Sequence, residues 1–154
     1  MKSGLVLEGG AMRGLFTAGV IDVFLENDIT FDLAIGVSAG AAFGVNLKSE
    51  QKGRVLRYNM RFAGKPYYAS WKSWRRSGNL YAANFCYHIL PDKLDVFDKE
   101  KFMTNPMDFW CVATDAATGE SVYHQLHDAG YVDLEWIRAS SSIPFFAHPV
   151  AIHG

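Results

Sequence analysis

The sequence predicts an α/β fold built on parallel strands joined by crossover helices. Three observations carry this prediction: two short apolar runs at residues 3–8 and 32–37, a glycine-containing turn after each run, and a helical apolar pattern after each turn. Strand, tight turn and helix, repeated in this order, are typical of a parallel sheet. The chain has 154 residues, 49% apolar and 20% charged, as expected for one globular domain.

Each element of the first half follows from its local pattern. Residues 3–8 predict a short buried strand, and residues 13–27 place apolar side chains mostly at helical spacing. Residues 32–37 predict a second buried strand. An Ala/Gly-rich helix follows over residues 38–48.

The second half begins with a predicted loop at residues 64–80, which contain seven Gly, Pro, Ser and Asn residues. Residues 109–114 predict a third strand, and residues 121–126 return as a fourth strand after a turn. Residues 133–142 predict a helix that ends before Pro144.

Composition excludes several classes of protein. A net charge of −1 argues against a basic nucleic-acid binder, and two cysteines do not make a disulfide framework. We expect Cys86 and Cys111 to be buried thiols in a reducing compartment. The sequence shows no targeting segment and no apolar run long enough to span a membrane, so we expect a cytoplasmic protein with, at most, peripheral membrane contact.

Charge is distributed unevenly along the chain. Residues 51–91 hold eight Lys and Arg, nine Phe, Tyr and Trp, and no Asp or Glu. Three interpretations stay open: contact with an anionic membrane, stacking on single-stranded nucleic acid, or a solvated face whose aromatic residues belong to the core. We expect no nucleic-acid partner.

Residues 36–40 read G-x-S-x-G with Ser38 at the centre. A serine on a sharp strand-to-helix turn projects its hydroxyl away from the sheet, and Gly36 and Gly40 let the backbone fold back on itself. The positive end of the following helix favours negative charge at that oxygen. From these residues alone, Ser38 is either a nucleophile or a helix cap between close-packing glycines.

The loop at residues 8–14 also lies between a strand and a helix, so its free N–H groups predict an anion site. Lys and Ser/Thr do not follow Gly14 as in a phosphate-binding loop, and position 11 is not the glycine of a dinucleotide fingerprint. An oxyanion hole remains, with an arginine that fixes the loop, adds positive charge or is a plain surface residue. The residues concerned are Gly9, Gly10, Ala11 and Arg13.

The segments EGGAMRG and GVSAG, in this order and spacing, resemble the patatin-like phospholipases. Further matches are Thr114-Asp115 with Thr118-Gly119-Glu120, and residues 139–144, while RSGNLYAANF with LDVFD resembles the bacterial branch. The resemblance covers nearly the whole chain. It implies a three-layer α/β/α fold with a mostly parallel central sheet, and hydrolysis of acyl esters by a Ser–Asp dyad. We expect no cofactor, and no metal either, because His88, His124 and His127 show no metal-ligand clustering with Cys or carboxylates.

Two departures from the family pattern stand out. Ala11 occupies a position where many members have a third glycine, although alanine still offers its N–H. The family's catalytic Asp lies in an Asp-Gly-Gly or Asp-Gly-Ala motif after the Ser-Ile-Pro and Pro-Val segments, and no Asp-Gly occurs in this sequence. We therefore expect residues 1–154 to be one patatin-like domain, cut short or naturally short, that stops just before the Asp and is incomplete at its C-terminal end.

Other bases remain possible within the chain. His148 or His153 would complete a Ser…Asp…His order, whereas Asp115 lies at a strand end and Asp128 precedes the Ser-Ile-Pro region. The leading hypothesis is a serine acyl hydrolase of the phospholipase or lipase type, with Ser38 as nucleophile. The alternative is a non-catalytic module that binds lipid or a membrane surface.

Overall fold

A four-stranded sheet organises the fold of this chain. In the structure, a computed structural model that describes residues 2–152, the strands lie in the order β1-β2-β3-β4. The first three are parallel and β4 is antiparallel to β3, so the predicted α/β fold with a mostly parallel sheet is confirmed. The strands are β1 (Gly4–Leu7), β2 (Leu33–Val37), β3 (Asp108–Thr114) and β4 (Ser121–Leu126).

Helices connect and flank these strands. The first two lead from β1 to β2 and from β2 towards β3, as parallel neighbours require. A wide π-type helix at Phe85–Leu94 contains Pro91. The α-helices are α1 (Gly14–Glu26), α2 (Ala39–Lys48), α3 (Arg54–Phe62), α4 (Trp71–Ser77), α5 (Lys99–Thr104) and α6 (Tyr131–Ser140).

The main core lies between one face of the sheet and the helices α2 and α6. Alternate strand residues point to this face, because side chains along a strand alternate between the two faces. Ala34, Phe109 and Cys111 are fully buried there. On the opposite face, Val6 is 77% exposed. The strands are therefore covered more completely on the face against which α2 and α6 pack.

The predicted loop at residues 64–80 is wrong in part, because α4 occupies its centre. The Ser70 hydroxyl accepts a hydrogen bond from the Ser73 N–H at 3.0 Å and caps the start of α4. Gly78 ends the helix with φ +69°. Ser70 and Gly78 therefore mark the two ends of a helix and do not prevent its formation. Helices α3 and α5 and the π-type helix were not predicted either.

Both thiols are free, with Cys111 buried and Cys86 half-buried. Burial raises the pKa of Cys86 to about 12 and that of Cys111 to about 11. The thiols therefore stay protonated near neutral pH, where a thiol is a poor nucleophile. Within residues 2–152, no helix has both the length and the apolar character that crossing a membrane requires.

Candidate functional site

Ser38 lies between the end of β2 and the start of α2 with φ +53° and ψ −119°. Residues with a side chain rarely adopt this backbone conformation, so surrounding contacts must hold it. Gly36 and Gly40 make those contacts possible. A Cβ on Gly36 would lie 2.6 Å from the Ala41 nitrogen, and one on Gly40 would overlap the Leu7 carbonyl oxygen. The backbone thus folds back so tightly that neither position accommodates a side chain.

The glycine loop after β1 lies directly against Ser38. A Cβ on Gly9 would come within 3.1 Å of the Ser38 Cβ and 3.8 Å of its Oγ. Within residues 2–152, the backbone N–H groups of Gly9, Gly10 and Ala11 donate to no acceptor. Ala11 has φ +47°, in the left-handed region that favours glycine. The loop therefore places Gly9 against Ser38, and Ala11 lines the same cavity as Ser38.

Close packing of α1 on α2 brings the two helix starts together. Gly14, the first residue of α1, is buried, and a Cβ there would lie 2.9 Å from the Ala39 Cβ and 3.0 Å from the Phe43 ring. Arg13 is exposed, and its side chain passes beside Gly10. The first residues of the two helices, where the helix dipole is positive, thus lie side by side.

A residue far along the chain holds the Ser38 turn. The Ser38 N–H donates to the Oγ of Ser140 at 2.7 Å, and that hydroxyl donates to the Val112 carbonyl oxygen at 2.5 Å. Ser140 therefore ties the end of α6 to both β3 and the start of α2. In the sequence, Ser140 stands only within the Ala-Ser-Ser-Ser-Ile-Pro match, which gives no sign of this role.

Ser38 borders a cavity of about 320 Å³. A volume of this size is within the range of small-molecule sites. Its wall is mostly apolar and comes from α2, α3, the π-type helix and α6. Typical wall residues are Phe43, Tyr58, Leu90, Phe97, Leu134 and Ile137.

Among residues 2–152, no titratable side chain forms a hydrogen bond with Ser38. Within residues 2–152, the Ser38 Oγ makes no hydrogen bond to a side chain or backbone group. Asp115 accepts from the N–H groups of Ala117 and Thr118, and these bonds lower the pKa of its exposed carboxyl. The His148 ring packs against Gly78 outside the Ser38 cavity. His153 lies outside the described residues.

The basic segment 51–91 divides into two parts. Lys52 pairs with Glu26 at 2.6 Å, and Arg57 pairs with Asp95 at 2.8 Å. Tyr58 belongs to a second core cluster, so aromatic residues of α3 form core in this part of the segment. The cations and aromatic residues of α4 remain exposed. In the described part of the chain, no three His, Cys, Asp or Glu side chains come together as a metal site would need.

The sequence matches the patatin-like phospholipase family over residues 5–154, nearly its whole length. The chain belongs to this family.

Two curated proteins are similar in sequence to this chain. It is 30% identical over 154 residues to the Escherichia coli strain K12 protein YjjU, an alignment that covers 97% of this chain and 43% of YjjU. It is 28% identical over 157 residues to lysophospholipase nte1 of Emericella nidulans, covering 98% of this chain and 10% of that protein. The chain thus spans less than half the length of either relative.

Proposed function

We propose that this chain carries the nucleophile and oxyanion hole of a serine hydrolase that cleaves acyl esters of phospholipids or lysophospholipids. The family supports lipid ester hydrolysis in general, and one relative is named a lysophospholipase. The observation that carries the residue assignment is the strained turn of Ser38, which lies against a loop with three unpaired N–H groups and borders an apolar cavity.

In the proposed reaction, the Ser38 Oγ attacks the ester carbonyl carbon while a base takes the hydroxyl proton. The carbonyl oxygen becomes negatively charged in the tetrahedral intermediate. The bond to the alcohol oxygen then breaks, and the alcohol leaves with that proton. Water next attacks the acyl-serine ester, giving up a proton to the base, and the free acid leaves as Ser38 regains its hydroxyl proton. Two such steps have lower barriers than one direct hydrolysis.

The loop donors would stabilise the charge that develops on the carbonyl oxygen. The N–H groups of Gly9, Gly10 and Ala11 have no competing acceptor among residues 2–152, so they need not break existing bonds to bind an oxyanion. Arg13 adds a positive charge beside Gly10 and supports the loop. Gly14, Gly36 and Gly40 support the same geometry through close packing.

We further propose that the base is an aspartate of the complete protein, placed after residue 152. Neither Asp115 nor His148 forms a hydrogen bond with Ser38, and Asp115 already accepts two backbone N–H groups of its own turn. A carboxylate that accepts several N–H bonds is a weak proton acceptor, which makes Asp115 unsuitable as a base.

The apolar wall of the cavity favours a fatty acyl group over a polar acid as the bound part of the ester. Burial of each methylene contributes about 0.8 kcal/mol, so longer chains should bind more tightly until the cavity is filled. Because lipid substrates lie in membranes, this proposal includes contact of the protein with a membrane surface. The exposed cations of residues 51–91 would form the contact region.

The test is active-site labelling and ester turnover in the full-length protein. A fluorophosphonate should form one adduct, detected by intact mass, that is lost in Ser38→Ala together with lysophospholipid hydrolysis. Thr104→Ala, which removes a hydroxyl at the end of α5 that does not line the cavity, should keep both adduct and turnover. Unchanged turnover in Ser38→Ala would reject the assignment of the nucleophile.

A non-catalytic lipid-binding module is the second candidate. The absence of a base within hydrogen-bond reach of Ser38, among residues 2–152, favours it. This candidate predicts no fluorophosphonate adduct in the full-length protein, but saturable binding of lysophospholipid that Ala42→Trp, which fills part of the cavity, would weaken.

A further inference from the structure

Exposed aromatic side chains gather around α4. Trp71 is 65% exposed and lies edge-on to Trp74 with ring centroids 5.8 Å apart, while Phe146 is 6.4 Å from Trp71. Phe145 is 90% exposed. Together with three cations of the same helix, these rings form what we call the α4 surface. It consists of Trp71, Lys72, Trp74, Arg75, Arg76, Phe145 and Phe146.

The cations of the α4 surface are free to meet an anionic partner. Lys72, Arg75 and Arg76 form no ion pair with any residue from 2 to 152. By contrast, Lys52 and Arg57 of the same basic segment pair with Glu26 and Asp95. Arg61 and Lys65 of the segment also form no ion pair among residues 2–152, but they lie apart on α3 and just after it, whereas Lys72, Arg75 and Arg76 lie together on α4.

Phe145 is held outward by its backbone. Its φ of +69° is unusual for a residue with a bulky side chain. The Trp74 ring N–H donates to the Phe145 carbonyl oxygen at 2.7 Å and fixes this backbone against α4. The exposed Phe145 ring, on a strained backbone fixed beside Trp74, has apolar area available for insertion into a membrane interface.

The segment that contains Phe145 and Phe146 also borders the candidate substrate cavity. The Leu80 N–H donates to the Phe146 carbonyl oxygen at 2.8 Å, and both Leu80 and Phe146 line the cavity that Ser38 borders. Thus the residue next to Phe145 faces the cavity, while Phe145 itself faces outward. Anything bound by the α4 surface would lie beside the cavity.

We propose that the α4 surface docks this protein on an anionic lipid bilayer. Trp and Phe side chains partition into the headgroup region, and Lys and Arg beside them attract anionic headgroups. The α4 surface is a narrower contact region than segment 51–91 as a whole, because Tyr58 of α3 belongs to the core and Arg54 and Arg57 are paired with Asp95. The inference goes beyond the proposed hydrolysis, since docking requires neither Ser38 nor a base.

Vesicle sedimentation tests this docking with the full-length protein carrying Ser38→Ala, so that no lipid is cleaved. We expect stronger binding to phosphatidylcholine vesicles containing one third phosphatidylglycerol than to pure phosphatidylcholine, with binding weakened by salt. Each cation near such a surface contributes about fivefold in affinity. Arg75→Gln/Arg76→Gln should therefore weaken binding on the order of twentyfold, and Phe145→Ser should weaken it at both lipid compositions.

Matched controls remove equal charge or a comparable ring elsewhere. Lys52→Gln/Lys99→Gln removes two cations that are paired with carboxylates, and Tyr123→Ser removes an exposed ring on β4. Both should bind vesicles like the parent. Turnover of a soluble short-chain ester in the Ser38 background reports folding of each variant and tests hydrolysis separately from docking.

Three results would overturn the proposal. The first is equal binding to anionic and neutral vesicles, and the second is no loss of binding in Arg75→Gln/Arg76→Gln. The third is tighter binding to a single-stranded oligonucleotide than to anionic vesicles, which would assign the α4 surface to nucleic acid.

Discussion

The backbone N–H of Ser38 donates to the Oγ of Ser140 at 2.7 Å, across 102 residues of sequence. The same hydroxyl donates to the Val112 carbonyl oxygen, so one side chain joins the turn before α2, the middle sheet region and the end of α6. Ser140 does not line the cavity that Ser38 borders. It is a positioning residue for the backbone that carries the proposed nucleophile.

Replacing Ser140 should therefore lower catalysis more than binding. In Ser140→Ala we expect kcat for ester hydrolysis to fall about tenfold to a hundredfold with KM nearly unchanged, because small misplacements of a nucleophile are costly. Stability should fall by about 1 to 3 kcal/mol, since the buried partners lose a hydrogen bond. Steady-state kinetics and urea denaturation measure the two effects.

Two variants sharpen the Ser140 experiment. Ser140→Thr keeps the hydroxyl and should recover part of kcat. Thr104→Ala removes a hydroxyl that bonds to carbonyl oxygens of its own helix, α5, and should leave kcat unchanged. If Ser140→Ala lost stability but kept the parental kcat, Ser140 would have a structural role alone.

The glycine at position 40 should tolerate no side chain. In Gly40→Ala the new Cβ would overlap the Leu7 carbonyl oxygen and lie 2.7 Å from that of Glu8, so β1 and α2 would have to separate. We expect a loss of about 3 kcal/mol or more, or failure to fold. Gly19→Ala is the control, because a Cβ at this α1 position meets nothing within 4 Å. It should gain about 0.5 to 1 kcal/mol from helix propensity. Thermal unfolding of both variants decides the comparison.

Two arginines that share Asp95 should differ sharply in their effect on stability. The Arg54 side chain is 4% exposed, and it donates to the Asp95 carbonyl oxygen and to Asn46 Oδ1. Arg54→Met leaves these buried acceptors unpaired and should cost about 3 to 5 kcal/mol. The Arg57 side chain is 56% exposed, so Arg57→Gln should cost about 1 kcal/mol or less. Equal losses in urea denaturation would contradict this assignment.

The buried thiols should make stability fall at alkaline pH. Burial raises the pKa of Cys86 to about 12 and of Cys111 to about 11, whereas a thiol in the unfolded chain titrates near roughly 8.5. Above that value the unfolded chain loses protons that the folded chain keeps. The stabilisation is thus complete below about pH 8.5 and is lost as pH rises towards the folded pKa values.

Urea denaturation between pH 8 and pH 10 measures this loss. Cys86→Ala/Cys111→Ala should flatten the dependence over that range. A slope as steep as that of the parent would exclude the thiols as its source. At higher pH a decline should persist in the variant, because burial also raises the pKa of Tyr87 to about 12.

Local sequence pattern determined much of the fold. The apolar runs before Gly9 and Ser38 predicted β1 and β2 to within one or two residues, and helical spacing predicted α1 and α2. These elements depend on contacts close in sequence, where periodicity and turn residues are informative. The loop predicted at residues 64–80 was wrong in part, because Ser70 and Gly78 are equally typical of turns and of helix caps. Only the folded chain shows that they act as caps of α4.

The sequence by itself determined the family resemblance, the glycine positions around Ser38 and the candidate oxyanion loop. Only the tertiary structure decided that Ser140 holds Ser38 and that Asp115 and His148 do not contact it. It also decided which cations of segment 51–91 are paired and which are free on α4. Motifs record short-range geometry, whereas these outcomes depend on contacts between residues tens of positions apart, which no local pattern specifies.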